Sequence, residues 1–182
     1  TEVSSNIIVV DDNSEDLTVR NALAAFESEK FTNFKIIQGK KLKPGWSGKV
    51  WALYQGTESV RKKTNFNYFL FLDSDIVLKK NTVSSMISKI KKEKLYMLSL
   101  MAKLNCESMW EKMLIPTFIY FFKKLYPFNE VNKFSSKISG AAGGCILCRS
   151  ILFKKTNLFK IIKQKVIDDC NLAREIKKKG PI

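Results

Sequence analysis

The sequence contains no histidine among its 182 residues, and this absence excludes several kinds of site. A Ser-His-Asp or Cys-His nucleophile is impossible, as is a zinc or iron site with histidine ligands. A general base must therefore be a carboxylate or a lysine with a lowered pKa, and a metal ion must be held by oxygen or by cysteine. No apolar run approaches the roughly 20 residues of a membrane-spanning helix.

Cysteine is scarce, with four residues in the chain. Cys145 and Cys148 have the C-x-x-C spacing, but they lie in an apolar, strand-like run, and no second pair completes a zinc site. We therefore expect the cysteines to be small buried hydrophobic residues in a reducing compartment. They are Cys106, Cys145, Cys148 and Cys170.

Acidic residues are outnumbered by basic ones, 17 to 32, which gives a formal net charge of +15 and a pI of about 9.7. This excess favours an anionic partner, such as a nucleic acid, an anionic membrane surface or a phosphorylated small molecule. The lysines are spread along the chain, as is typical of a solvated surface, so we expect no nucleic-acid partner. The length suits about one domain, and we predict a single domain over residues 1–182.

Strand-like and helix-like segments alternate along the first hundred residues. This order predicts an α/β fold with a mostly parallel, Rossmann-like central sheet flanked by helices. Ser14, followed by two acidic residues, is the expected start of the first helix, and Asn81 the expected start of the third. The predicted strands are 6–10, 34–38, 69–77 and 96–104, and the predicted helices run from 14, from 50 to 61, and from 81.

An acidic pair follows the apolar strand that begins at Phe69. If the backbone stays extended through Asp73-Ser74-Asp75, residues 73 and 75 point to the same side and their carboxylates converge. Converging carboxylates repel unless a cation neutralises them, and Mg²⁺ or Mn²⁺ prefers such oxygen ligands. The alternative is a pair of solvated aspartates in a turn at the end of the strand.

Two further acidic pairs occupy comparable places. Asp11 and Asp12 end the first strand, while Asp168 and Asp169 open the last helix. A metal–diphosphate substrate needs an oxygen clamp, contacts to base and ribose, and a separate carboxylate that deprotonates an acceptor, and three pairs could divide these tasks. The small-residue run 139–144 would let the backbone approach a ligand or a strand closely.

Residues 109–128 are crowded with apolar and aromatic side chains, interrupted by Pro116. Together with Lys112, Lys123 and Lys124, these side chains suit a segment that lies at a membrane interface or binds a lipid-like acceptor. The alternative is a buried pair of helices bent at Pro116.

In their order, the motifs resemble family 2 glycosyltransferases of the GT-A fold. The motifs are Val10-Asp11-Asp12-Asn13-Ser14, Asp73-Ser74-Asp75, Ala142-Gly143-Gly144 and Ile167-Asp168-Asp169. Stretches 44–52, 106–111, 125–128 and 168–173 are similar, more specifically, to the hopene-associated glycosyltransferases of hopanoid-producing bacteria. Relatives carry an additional first strand and a C-terminal membrane region, so the chain is expected to be a fragment, truncated at both ends, that is inactive by itself.

The resemblance implies a donor site for a nucleoside-diphosphate sugar, with a UDP-sugar expected. Asp11 and Asp12 would contact the base and ribose of the nucleotide. Asp73 and Asp75 would hold Mg²⁺ or Mn²⁺ and the diphosphate, with Asp75 the direct metal ligand. We add Lys49 as a basic residue placed where it could reach a phosphate.

On the acceptor side, the resemblance implies an inverting, single-displacement transfer of a hexosyl group. Gly143 and Gly144 would shape the acceptor side, and Asp169 would be the general base with Asp168 beside it. The acceptor would be a lipid, either a hopanoid or a polyisoprenoid. The enzyme would work at a membrane surface, on the cytoplasmic face of a bacterial inner membrane.

Two other interpretations stay open from the residues themselves. A phosphoacceptor receiver domain also begins with an apolar strand that ends in an acidic pair, as Val10-Asp11-Asp12 does. A non-enzymatic basic binding module would account for the charge, but not for the ordered acidic pairs.

Overall fold

The computed structural model describes residues 4–63 and 66–182, and its backbone groups into two compact units. Unit 1 comprises Thr1–Phe66 and Phe153–Val166, and unit 2 comprises Asn67–Leu152 and Ile167–Ile182. The expectation of a single catalytic domain stays a prediction. Each unit is described in turn.

Unit 1 is built on two parallel strands and the helices that accompany them. Its elements are β1 (Ile7–Asp11), α1 (Thr18–Ser28), β2 (Phe34–Gln38), α2 (Gly48–Glu58) and α7 (Leu158–Ile161). The short helix α6 (Ile151–Lys154) begins in unit 2 and ends in unit 1.

The parallel pairing of β1 with β2 is the strand arrangement that the sequence predicts. The register runs from Ile7 opposite Phe34 to Asp11 opposite Gln38, so both strands end at one edge. β-branched residues favour this pleated geometry. Helix α2 packs on β1 so closely that a Cβ on Gly56 would lie 3.0 Å from Cγ2 of Val10.

Helix α1 begins later than the sequence suggests. Ser14 does not start it; the Ser14 amide instead donates to the carboxylate of Asp11, at 3.3 and 3.4 Å. The helix begins at Thr18, whose amide and hydroxyl both donate to Oδ1 of Asp16. Helix α1 therefore starts at Thr18 rather than directly after Ser14.

Unit 2 is built around a three-stranded sheet. Its elements are β3 (Tyr68–Leu72), α3 (Thr82–Lys92), β4 (Met97–Ser99), α4 (Met109–Leu125), α5 (Phe128–Val131), β5 (Cys145–Arg149) and α8 (Asp168–Lys177). The strand order is β3-β5-β4.

The sheet of unit 2 differs from the predicted parallel arrangement at one strand. β3 and β4, joined through α3, run in the same direction, but β5 lies between them and pairs antiparallel with both. β5 enters the sheet after α4 and α5, without the crossover that a parallel neighbour would require. Strand β4 is also shorter than predicted, because only Met97, Leu98 and Ser99 find partners on β5.

The core of unit 2 forms where α3 covers the sheet. Met86 and Ile90 of α3 pack with Leu95, Cys145 and Leu147. Because β5 is covered on both faces, Cys145 and Cys148 are both buried although they point in opposite directions. Cys170 is buried as well, but the prediction of burial is wrong for Cys106, which is exposed.

Residues 109–125 form one continuous helix, α4, rather than two helices bent at Pro116. A capping box opens it: the Glu111 amide donates to the Ser108 hydroxyl at 3.2 Å, and the Ser108 amide donates to the Glu111 carboxylate at 2.8 Å. All 17 residues of α4 are described and none is buried, so the interpretation as a buried helix pair is wrong. Among the described residues, no helix has both the length and the apolar character needed to cross a membrane.

Candidate active site

In unit 1, the carboxyl end of β1 delivers Asp11 to the edge of the parallel pair. Asp11 is the last residue of the strand and only 4% exposed. The amide of Gly39, directly after β2, donates to the Asp11 carbonyl at 2.7 Å. A Cβ on Gly39 would lie 2.7 Å from that backbone oxygen and 3.3 Å from Cα of Asp12, so only glycine fits there.

Asp12 is exposed and lies beside the start of α2. Its Oδ2 is 3.6 Å from the position that a Cβ on Gly48, the first residue of α2, would take. Lys49 is the next residue of the helix and is exposed. The unpaired amides of a helix N-terminus attract anions, so this corner combines a carboxylate with a helix start and a lysine.

The loop between β2 and α2 is fixed from the helix side. The indole N–H of Trp51 donates to the Lys40 carbonyl at 2.8 Å, and the Lys40 amide donates to the Gln55 side chain at 2.8 Å. Trp46 packs on Trp51 and Tyr54, with ring centroids 5.0 and 4.8 Å apart. These contacts hold the strand edge and the start of α2 in one arrangement.

In unit 2, β3 ends at Leu72 and the chain turns at the Asp73–Asp75 pair. The Ile76 amide donates to the Asp73 carbonyl at 3.2 Å, which closes a turn over residues 73–76. The expectation that the backbone stays extended through Asp75 is therefore wrong. Asp73 is half-buried and Asp75 is exposed, and the two carboxylates are presented from one tight turn.

Gly143 and Gly144 join this turn to the last acidic pair. The Asp73 amide donates to the Gly144 carbonyl at 3.0 Å. A Cβ on Gly143 would lie 3.0 Å from Oδ2 of Asp169. Two adjacent glycines thus contact the Asp73 turn on one side and the Asp169 carboxylate on the other.

Asp168 and Asp169 are half-buried in the first turn of α8, as predicted. Oδ1 of Asp169 accepts a hydrogen bond from the Cys170 amide at 2.7 Å. Oδ2 is the oxygen that faces the glycine pair.

Tyr126, which ends α4, lies against the same region. Its ring would be 2.8 Å from a Cβ on Gly140. A hydrogen bond with the Cys170 thiol raises the pKa of Tyr126, and burial and the nearby Asp169 charge raise it further. The Cys170 thiol in turn donates to the Ala141 carbonyl at 3.6 Å, and burial raises its pKa.

Comparison with known protein families shows which family the chain belongs to. The model of the family described as glycosyl transferase family 2 matches residues 4–156, so the chain belongs to this family. Membership makes the chain an inverting glycosyltransferase of the GT-A fold that uses a nucleotide-sugar donor. No curated protein matches the sequence.

The matched segment contains most of the residues that the sequence singles out. Asp11, Asp12 and Lys49 lie in it within unit 1, and Asp73, Asp75, Gly143 and Gly144 within unit 2. Asp168 and Asp169 lie beyond its end. The family model therefore does not include Asp169. Its link to the matched segment is the spatial contact with Gly143.

Enzymes of this family commonly use a divalent metal ion, and the Asp73 turn suits one. Magnesium in phosphate-transferring and related sites is usually bound by one or two carboxylates, with substrate phosphates supplying further oxygens. Among residues 4–63 and 66–182, no group of three or more acidic or cysteine side chains forms a metal cage. Two carboxylates on a turn thus fit a metal that is shared with a diphosphate.

Three residues, one in unit 1 and two in unit 2, are not among the residues predicted from the sequence. Gly39 could be recognised as a glycine directly after a strand, where close backbone approach is common. Tyr126 and Cys170 have no local signal, because their contacts depend on how α4, α8 and the glycine run pack.

Proposed function

We propose that this enzyme transfers a hexosyl group from a nucleoside-diphosphate sugar, with a UDP-sugar as the expected donor, to a hydroxyl group of a lipid acceptor, with metal assistance. The contact of Gly143-Gly144 with both the Asp73 turn and Asp169 carries the proposal. It supports a site in which a donor diphosphate and a general base lie on either side of one glycine pair.

We assign donor binding to the acidic pairs at the carboxyl ends of β1 and β3. Asp11 and Asp12 hold the nucleoside, with Lys49 as a phosphate ligand beside the start of α2. Asp75 and Asp73 hold Mg²⁺ or Mn²⁺, which supplies positive charge to the departing diphosphate when it is bound. The exposed position of Asp75 favours it as the direct ligand, since its carboxylate is open to solvent.

Asp169 is assigned as the base. The acceptor oxygen forms a bond to the anomeric carbon on the face opposite the diphosphate, while the bond from that carbon to the diphosphate oxygen breaks. The electron pair of the broken bond leaves on the diphosphate, and the acceptor proton moves to Oδ2 of Asp169. Asp168 lies beside it in the first turn of α8.

A lipid acceptor, a hopanoid or a polyisoprenoid, is inferred from the family resemblance. The apolar surface of α4 beside the site supports it. We accordingly place the enzyme at the cytoplasmic face of a bacterial inner membrane.

A thermal-shift panel of sugar nucleotides, with and without Mn²⁺, tests the donor site. A ligand at 100 times its Kd adds about 2.7 kcal/mol of stability, which for this length corresponds to roughly 5–10 °C in Tm. We expect a shift of this size for one class of donor with Mn²⁺, and its loss in Asp75→Ala. A matched control is Glu27→Ala, an exposed carboxylate of α1 outside the proposed site. An equal shift without metal, or in Asp75→Ala, would contradict the assignment.

A further inference from the structure

Helix α4 carries an apolar stripe that nothing in the described chain covers. The stripe follows helical spacing on one face and consists of residues between 55% and 71% exposed. Its members are Trp110, Leu114, Phe118, Phe121 and Leu125. Exposed apolar side chains at this density mark a docking surface.

The length of α4 determines how it can meet a membrane. At 1.5 Å per residue, 17 residues extend about 26 Å, which is shorter than the roughly 30 Å hydrocarbon core. The capping box at Ser108 satisfies backbone amides in the first turn, so α4 has a well-defined N-terminal end. Met109, Met113 and Tyr120, between 55% and 73% exposed, widen the apolar surface beside the stripe. A helix of this length with a broad apolar face suits a position parallel to the membrane plane.

Charge favours an anionic bilayer as the occupant. Lys124 borders the stripe, with its ammonium 5.4 Å from the centre of the Tyr120 ring. Lys112 and Lys123 lie on the opposite side of the helix, about 10 Å away, which is close to the Debye length in physiological salt. The chain adds a net charge of +15, and basic side chains near a bilayer strengthen binding to anionic lipids.

Charge argues against a second copy of the chain, because each of two copies would bring a net charge of +15 to the contact. Three aromatic and two leucine side chains, each more than half exposed, offer roughly 500–600 Å². A stable dimer usually buries about 800 Å² on each partner, of which a little over half is apolar, so the area alone would also suit a dimer. Partial insertion into lipid has no such threshold, because affinity grows with each apolar side chain that enters.

A groove beside α4 is also lined mainly by apolar side chains. It has a volume of about 460 Å³ and lies between residues 102–106 and the helix. Leu104, Ile115, Pro116 and Ile119 contribute apolar walls, while Lys103 and Lys123 add positive charge. The groove is on the Lys123 side of α4, opposite the stripe, so it would not meet the bilayer on which the stripe docks.

The C-terminal end of α4 leads to the candidate active site. Tyr126 follows the stripe directly, packs on Gly140 and is hydrogen-bonded to Cys170, the neighbour of Asp169. We propose that the stripe lays α4 in the interface of an anionic phospholipid bilayer, so that the region around Asp169 faces the membrane surface. The docking proposal depends on the stripe alone. Delivery of a lipid acceptor to Asp169 depends in addition on the proposed function.

Vesicle titration of the 182-residue chain tests docking, with Trp110 as a built-in probe. On vesicles containing 30% phosphatidylglycerol, we expect the tryptophan emission to shift to shorter wavelength and brominated acyl chains to quench it. Trp110→Phe should remove both effects, because Trp51 is buried and Trp46 is half-buried in unit 1. Neutral vesicles and high salt should both weaken binding.

Two pairs of substitutions separate apolar insertion from charge. Leu114→Glu with Phe118→Glu should weaken vesicle binding about 100-fold or more, since two apolar anchors become charged. Leu17→Glu with Ile161→Glu makes the same charge change at exposed apolar positions of unit 1 and should leave affinity within a few-fold. Lys124→Gln should cost about fivefold on anionic vesicles, and Lys123→Gln, about one Debye length further from the bilayer, should cost less.

Several outcomes would overturn the proposal. They are equal weakening by both glutamate pairs, no quenching of Trp110 by brominated chains, and a stripe-dependent dimer in sedimentation without vesicle binding. Sugar-nucleotide binding separates this proposal from the proposed function. The stripe variants should keep donor binding, and Asp75→Ala should keep vesicle binding, so each can fail without the other.

Discussion

Replacing Gly143 by alanine would place a methyl group 3.0 Å from Oδ2 of Asp169, with the Asp169 Cβ and Cγ at 3.4 and 3.5 Å. The carboxylate cannot simply retreat, because its Oδ1 is held at 2.7 Å by the Cys170 amide. An ordinary van der Waals contact begins at about 3.4 Å, so the Asp169 carboxylate must shift by about 0.4 Å. A 1 Å misplacement in an active site costs about 100-fold in rate, so we expect a loss of roughly 10-fold in kcat.

Gly144→Ala is the matched control for this change. Its new methyl group would meet Cδ1 of Ile76 at 3.1 Å, and the end of that flexible side chain can move away at little cost. In steady-state transfer assays on the full-length enzyme, Gly143→Ala should reduce kcat with an unchanged donor KM, whereas any effect of Gly144→Ala should fall on the donor KM, because its methyl group meets Ile76 of the Asp73 turn. Equal losses in both variants, or an unaffected Gly143→Ala enzyme, would refute the placement of Asp169 against the glycine pair.

Three further predictions concern Gly39, the start of helix α4 and the cysteines. Gly39→Ala should lower the free energy of unfolding by about 1–3 kcal/mol in urea titrations, because its Cβ would lie 2.7 Å from the Asp11 carbonyl oxygen. The Ser108 amide lowers the pKa of Glu111 below 4.5, so its support of α4 is complete above pH 4.5 and is lost as pH falls through the lowered value. Helical circular dichroism should report this loss, and Glu111→Gln should remove the pH dependence. When the native protein is alkylated and analysed by mass spectrometry, one cysteine, the exposed Cys106, should be modified. Burial protects the other three thiols and raises their pKa. Rapid modification of all four cysteines would contradict the packing.

Segments whose structure depends on local sequence could be predicted well. The β-branched run of β1 and the acidic start of α8 lie where their composition indicates. Both rest on preferences of the backbone itself, namely β-branched side chains in strands and carboxylates at helix starts. The close approach of the backbone at residues 139–144 also follows from their small side chains.

Features that depend on distant partners could not be predicted. The length of β4 is set by β5, which lies 46 or more positions later in the chain, and the antiparallel insertion of β5 has no local signal. Ser14 has the composition of a helix cap, but the carboxylate of Asp11 takes its amide. In the same way, the turn at Asp73 is closed by contacts with Ile76 and Gly144, which strand propensity does not describe.

The central claim is that Asp169 accepts the proton while the Asp73–Asp75 turn holds the donor. The most direct measurement compares Asp169→Asn with the unchanged full-length enzyme for donor affinity by calorimetry with Mn²⁺ and for transfer rate, with Glu175→Gln, another carboxylate of α8, as the control. The account predicts unchanged donor affinity and a transfer rate lowered by at least about 100-fold for Asp169→Asn, as expected for loss of a general base. Retained transfer, or a loss of donor affinity as large as that in Asp75→Ala, would contradict it.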